Sequence, residues 1–267
     1  MSIRFSIDFN SYNSSTPSPR APMPISQADV DAFLESVRDL PDSDEADGKT
    51  LSETNLADSI FIPEGYEPNY AYPLIVWITH PGDDKAELHR RMSEISTRNY
   101  FGIALCAPEP LFGAATDDTT ASEADYCLVE FEEQLFDTVS QLRQDFHLHT
   151  ERVFLAGFGT AGTLALRLGL HRPEWFAGVA AFAGQFPDAP HVLSRFRDLQ
   201  GKRVLLGRGR MDSDVSLEES VQTTRLLHAA GLRVCHRTYE AGHEITRTML
   251  AEIDRWVMRE ILSPVEA

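Results

Sequence analysis

From about residue 57 the chain switches back and forth between two hydrophobic periodicities, and this alternation limits its fold more than any other feature. Short apolar or β-branched runs at 59–62, 74–79, 102–107, 152–156, 178–182, 203–206 and 233–239 read as strands. Helical stretches at 84–97, 124–145, 160–170, 217–230 and 244–262 separate most of them. Strands that are apolar along their whole length need cover on both faces, so the pattern predicts a mostly parallel sheet with helices on either side. No insertion is long enough for a large lid domain. The longest irregular piece, 108–123, is placed to overhang a site at the carboxyl edge of the sheet.

One junction in this pattern has a special shape. Arg152-Val153-Phe154-Leu155-Ala156-Gly157-Phe158-Gly159-Thr160-Ala161-Gly162 runs from a buried strand through a small-residue turn into a helix. This is the layout of a nucleophile elbow, G-x-S-x-G, in which the turn holds its central residue at positive φ and lifts that side chain above the sheet. Here the centre is Gly159. The elbow and its continuation, His171-Arg172-Pro173-Glu174-Trp175-Phe176-Ala177-Gly178-Val179, resemble the phospholipase/carboxylesterase branch of the α/β-hydrolases. The resemblance implies an α/β-hydrolase fold for 56–267 and a carboxylic ester as the ancestral substrate class. In that family a serine stands at the position of Gly159 and a glycine at that of Ala161; only the first departure removes chemistry.

Two further segments carry the resemblance. Gly207-Arg208-Gly209-Arg210-Met211-Asp212-Ser213-Asp214-Val215 is similar to the family's H-G-x-x-D-x-x-V, with Arg208 replacing the histidine, which makes Asp212 the orienting acid. Asp214 is the second candidate, with capping of the helix near Ser216 as its plainer role. Ala241-Gly242-His243-Glu244 resembles the loop that carries the family's base, so His243 takes that position. The oxyanion hole is expected from the backbone N–H of Thr160 and from the segment Ile78-Thr79-His80-Pro81-Gly82-Asp83, similar to L-H-G-x-G. Proline has no N–H to donate, so Gly82 is the second expected donor.

A histidine of this type needs a carboxylate on one ring nitrogen and a hydroxyl on the other. Asp212 supplies the first and Gly159 cannot supply the second. The leading reading is therefore a pseudo-hydrolase that keeps acid and base but turns esters over feebly or not at all. Two alternatives stay open: a weak hydrolase in which His243 activates a water or another nucleophile serves, and a non-catalytic binding or oligomeric protein. As a displaced nucleophile toward His243, Thr160 is disfavoured, because adjacent residues across a strand-to-helix turn face different ways.

Composition narrows the partners. The net charge of -17 is concentrated in 1–60, with 11 acids against 4 bases, and in 117–145, with 9 against 1. Such a surface repels phosphate backbones and anionic lipid, which argues against nucleic-acid and membrane partners. No apolar run approaches the roughly 20 residues of a membrane span. Three widely spaced cysteines, Cys106, Cys127 and Cys235, form no metal or disulfide pattern and suit a cytoplasmic location; Cys106 and Cys235, in apolar strands, are expected as small buried hydrophobes. His147 and His149 are placed at the end of a long helix, with no third ligand, so neither metal nor cofactor is expected. A small-molecule ester or acyl ligand remains the expected partner.

Residues 1–55 read as a largely disordered acidic tail. Within it Val30, Phe33, Leu34, Val37 and Leu40 share one face of a short amphipathic helix near 27–40, with Ser26 as its N-cap. That stripe offers a docking face for the chain's own domain, a second copy or another protein.

Overall fold

The computed structural model describes residues 59–262, apart from 85, 114–117, 189–192, 194 and 196. The amphipathic segment near 27–40 and the rest of 1–55 lie outside the described residues. All seven expected strands are present: β1 (Ile60–Phe61), β2 (Tyr72–Thr79), β3 (Phe101–Cys106), β4 (Leu148–Phe158), β5 (Gly178–Phe182), β6 (Arg203–Gly209) and β7 (Arg233–Tyr239). They form one sheet in the order β1-β3-β2-β4-β5-β6-β7, parallel throughout except for the two-residue β1, which pairs antiparallel with β3.

Among the described residues five α-helices cover the two faces. On one lie α1 (Ala86–Ile95) and α5 (Arg247–Leu262), whose Leu88, Met92, Met249, Ile253 and Trp256 pack on Ile75, Trp77, Phe154 and Leu205. On the other lie α2 (Asp118–Asp145), α3 (Thr160–His171) and α4 (Leu217–Ala229), packed on Leu74, Val76, Leu155, Val204 and Leu206. Alternate residues of each strand thus feed opposite cores. Trp77 and Leu74 are both fully buried. Burying a side chain of this kind contributes about 1.5–3 kcal/mol, which is why whole-length apolar strands dictated a two-sided cover.

Several boundaries differ from the sequence pattern. Helix α2 begins at Asp118 rather than at 124, so the last part of the expected long loop is helical; a short 3₁₀ turn (Glu109–Leu111) occupies its start. β4 extends back to Leu148, which puts His149 inside a strand and His147 just before it rather than on the end of a helix. Their rings make local contacts instead, His147 Nδ1 to the Pro68 carbonyl at 3.0 Å and His149 Nδ1 accepting the Glu151 N–H at 3.1 Å. None of the cysteines is fully buried. Cys106 is exposed because it is the last residue of β3, where the strand leaves the cover of the helices. Among the described residues no helix is long and apolar enough to cross a membrane.

The connectivity selects one place for a site. The chain runs from β2 outward to β3, then returns across β2 to β4, so the direction of winding reverses between β2 and β4. Loops leaving the carboxyl ends of neighbouring strands at such a reversal diverge and open a crevice. The loop after β2 carries His80 to Asp84, and the turn after β4 carries Gly159.

Candidate functional site

At the turn after β4 the central residue is held through its backbone. Gly159 adopts φ 60°, ψ -131°, with its N–H donating to Phe182 O at 2.8 Å and its carbonyl accepting from Thr163 N–H at 3.1 Å. Gly157 has to be glycine for a different reason. A Cβ there would lie 2.4 Å from the carbonyl oxygen of Ala161, so the strand and the first turn of α3 approach closely only without a side chain. A Cβ added at Gly159 meets nothing tighter than His243, with its Nε2 at 3.5 Å and Cε1 at 3.8 Å. The open direction at the elbow centre therefore leads straight to an imidazole.

That imidazole is fully engaged on its far side. His243 Nδ1 lies 3.0 Å from Asp212 Oδ1, and the same oxygen accepts the N–H groups of Asp214 at 2.9 Å and Val215 at 3.1 Å. The Asp212 side chain is 0% exposed. Burial pushes its carboxyl up, but the Val215 N–H, the His243 ring and the Asp214 N–H together outweigh burial and hold it below the ordinary carboxylate range. An ionised carboxylate can only accept, so Nδ1 is the donor in this contact and Nε2 is the ring nitrogen turned toward Gly159. Asp212 Oδ2 is buried and has no partner among the described residues. Phe158 sits against the ring, centroids 4.8 Å apart, and limits its rotation.

Asp214 takes a position that the sequence pattern did not indicate. The cap of α4 is Ser216, in a reciprocal box: its Oγ accepts the Glu219 N–H at 3.1 Å while Glu219 Oε2 accepts the Ser216 N–H at 2.8 Å. Asp214 therefore does not cap the helix. It is 61% exposed, and its Oδ2 lies 3.5 Å from His243 Nε2, on the nitrogen opposite to Asp212. Donor atoms of Asp212, Asp214 and His243 all lie within 4.8 Å of one another, a spacing compatible with metal ligation, although the two carboxylates face different ring nitrogens.

The loop after β2 joins the elbow through a contact absent from the sequence expectations. Thr160 is exposed and begins α3, so its N–H is one of the first-turn donors that a helix leaves without an internal partner. Its hydroxyl turns to His80, with Oγ1 2.6 Å from Nε2. The His80 ring stacks on Phe112 at 4.0 Å, and Asp83 Oδ2 accepts the His80 backbone N–H at 3.0 Å. Gly82 follows at φ 86°, with open space where a Cβ would be. Gln185, also unanticipated, ties the acid loop to α3: its N–H donates to Thr163 Oγ1 at 2.9 Å and its side-chain amide reaches the Asp214 carbonyl at 3.4 Å. Only the pairing of distant strands reveals these contacts.

A seven-stranded, mostly parallel sheet with an elbow after β4 and an Asp–His pair beyond β6 and β7 defines an α/β-hydrolase. Residues 117–260, just over half the chain, match the model of the Phospholipase/Carboxylesterase family, and the chain belongs to that family. It is 30% identical over 140 residues to NocK of Nocardia uniformis subsp. tsuyamanensis, an esterase by name. The match takes in 48% of this chain and 36% of the relative, so the chain spans about a third of that protein's length. Among solved structures, Arabidopsis thaliana SOBER1 superposes with a TM-score of 0.55 at 20% identity, covering 72% of this chain and all of its own. Esterase PE8 gives 0.56 at 21% identity over 73% of this chain and 95% of its own. The ferulic acid esterase of Anaeromyces mucronatus gives 0.55 at 16% identity over 73% and 81%. At these identities the likeness speaks for the fold.

Proposed function

We propose that this protein binds a carboxylic ester or acyl ligand in the elbow crevice and is impaired in turning it over, because Gly159 occupies the position of the nucleophilic serine. In this reading Asp212 is the orienting acid, His243 the base, and the N–H groups of Thr160 and Gly82 the oxyanion donors. The observation that carries it is the vector at Gly159: a Cβ built there points at His243 Nε2 from 3.5 Å, so a serine Oγ on that carbon falls within hydrogen-bond reach of the base. Acid and base keep the relation that acyl transfer requires while the attacking atom is absent.

Hydrolysis of a short-chain p-nitrophenyl ester by the native protein and by Gly159→Ser, with a melting curve for each, tests the proposal. The expected result is a large gain in kcat for the variant, together with covalent capture of a fluorophosphonate at position 159. A folded Gly159→Ser protein no faster than the native one would overturn it.

A further inference from the structure

The crevice holds a second imidazole, and this one faces a hydroxyl. Thr160 Oγ1 lies 2.6 Å from His80 Nε2, and both groups reach solvent, with Thr160 exposed and the His80 side chain 36% exposed. The ring is held from three directions. Phe112 stacks on one face at 4.0 Å with planes 29° apart, Thr160 meets Nε2, and Asp83 Oδ2 lies 3.9 Å from Nδ1. That last distance is too long for a hydrogen bond, so Asp83 faces the Nδ1 side of the ring through its charge alone. In the tautomer with its proton on Nδ1, Nε2 accepts from the threonine hydroxyl. A nucleophile within reach of a base, with the base oriented by a third group, is the arrangement that activates a side-chain alcohol.

We infer that Thr160 is an acyl acceptor, activated by His80, and that it gives this protein a slow esterase route independent of residue 159. The inference rests on the reading that an ester enters the elbow crevice. Thr160 Oγ1 attacks the ester carbonyl carbon as its proton passes to His80 Nε2. The resulting oxyanion lies at the amino end of α3, where first-turn N–H groups and the helix dipole favour negative charge. Collapse breaks the bond to the alcohol oxygen, which leaves with the proton from His80. Water then gives its proton to His80 and attacks the acyl-threonine, releasing the carboxylic acid and restoring both side chains. A secondary, branched alcohol is hindered, which makes the route slow.

The full-length protein is incubated with p-nitrophenyl acetate, quenched in acid and mapped by peptide mass spectrometry. One acetyl group is expected on Thr160, absent from Thr160→Val, retained in Thr160→Ser, and formed about 10²-fold more slowly in His80→Gln, as loss of a general base implies. Native protein without acetyl-Thr160, or acetylation as fast in His80→Gln as in the native protein, overturns the inference; because the native map decides, a variant that fails to fold does not rescue it. The two readings separate in the double variant Gly159→Ser/Thr160→Val. Hydrolysis there with no acetyl-Thr160 in the native protein leaves the ester crevice standing and removes Thr160 from it, whereas failure of both brings down both readings.

Discussion

The elbow and the acid–base loops face each other across one crevice and have opposite relations to their own chemistry. At the elbow, everything that positions the central residue is backbone: the Gly157 approach to Ala161, the Gly159 N–H on Phe182 and the Gly159 carbonyl under Thr163. None of these three contacts uses a side chain at 159, so the turn persists whether or not a hydroxyl is present there. A non-glycine residue at this positive φ costs about 1–2 kcal/mol, so glycine here is the relaxed choice. On the opposite side the functional group is itself structural. Asp212 accepts two loop N–H groups as well as the His243 ring, and removing its carboxylate would leave buried donors unmatched. On the proposed reading, a nucleophile at 159 can be lost at little cost to this fold, whereas the Asp212 carboxylate cannot. Strain has not left the site altogether: Ala183, at the end of β5 beside the elbow, is the one non-glycine residue with positive φ among those described, at 50°.

The contrast can be pressed hardest with chemistry restored. In a Gly159→Ser background, His243→Ala should abolish the regained hydrolysis, a loss of up to about 10⁶-fold in kcat; retention of the gain would mean that the restored serine uses another base. Asp212→Asn in the same background should lower kcat by about 10⁴-fold, since the amide stabilises the wrong tautomer of His243. Steady-state kinetics distinguish this from a KM effect.

Stability gives the smaller signals. Asp212→Ala should lower unfolding free energy by about 1–3 kcal/mol through its orphaned N–H donors, measured by urea titration. Gly159→Ala should cost about 1–2 kcal/mol, all of it conformational, because the added methyl meets only His243 at ordinary contact distance. A neutral Gly159→Ala would remove the argument that the elbow is strained. The smallest effect is acid sensitivity. The Asp212 carboxyl is lowered in the folded protein, so its stabilising contribution is full above the unfolded value near 3.9 and fades as pH falls through that value toward the lower folded one. Asp212→Asn should flatten this part of the stability–pH curve.

Much of the fold was legible because strand and helix periodicities are local. β5 and β7 begin and end where the apolar runs do, and β4 starts earlier because its exposed beginning, around Glu151 and Thr150, lacks the apolar signal. Helix α2 began early for a related reason: Asp118-Thr119-Thr120-Ala121-Ser122 contains no large apolar residue, so the sequence carries no periodicity there. Within the site, the placement of Gly159, Asp212 and His243 near one another was anticipated from motif order. The reach of Asp214 to His243 was not, since an acid beside a helix start reads equally as a cap until Ser216 is seen to fill that role. The Thr160–His80 contact left no trace at all, as 80 residues separate the partners and neither lies in a pattern that names the other.

The amino-acid sequence alone determined the alternating architecture, the backbone shape of the elbow and the absence of a hydroxyl at its centre, since each follows from residue types within a few positions of one another. Tertiary structure alone decided which imidazole faces which oxygen. That choice depends on β2 and β4 lying side by side at the point where the winding of the sheet reverses, and this pairing brings His80 to Thr160 while the loops after β6 and β7 bring Asp212 and His243 to Gly159.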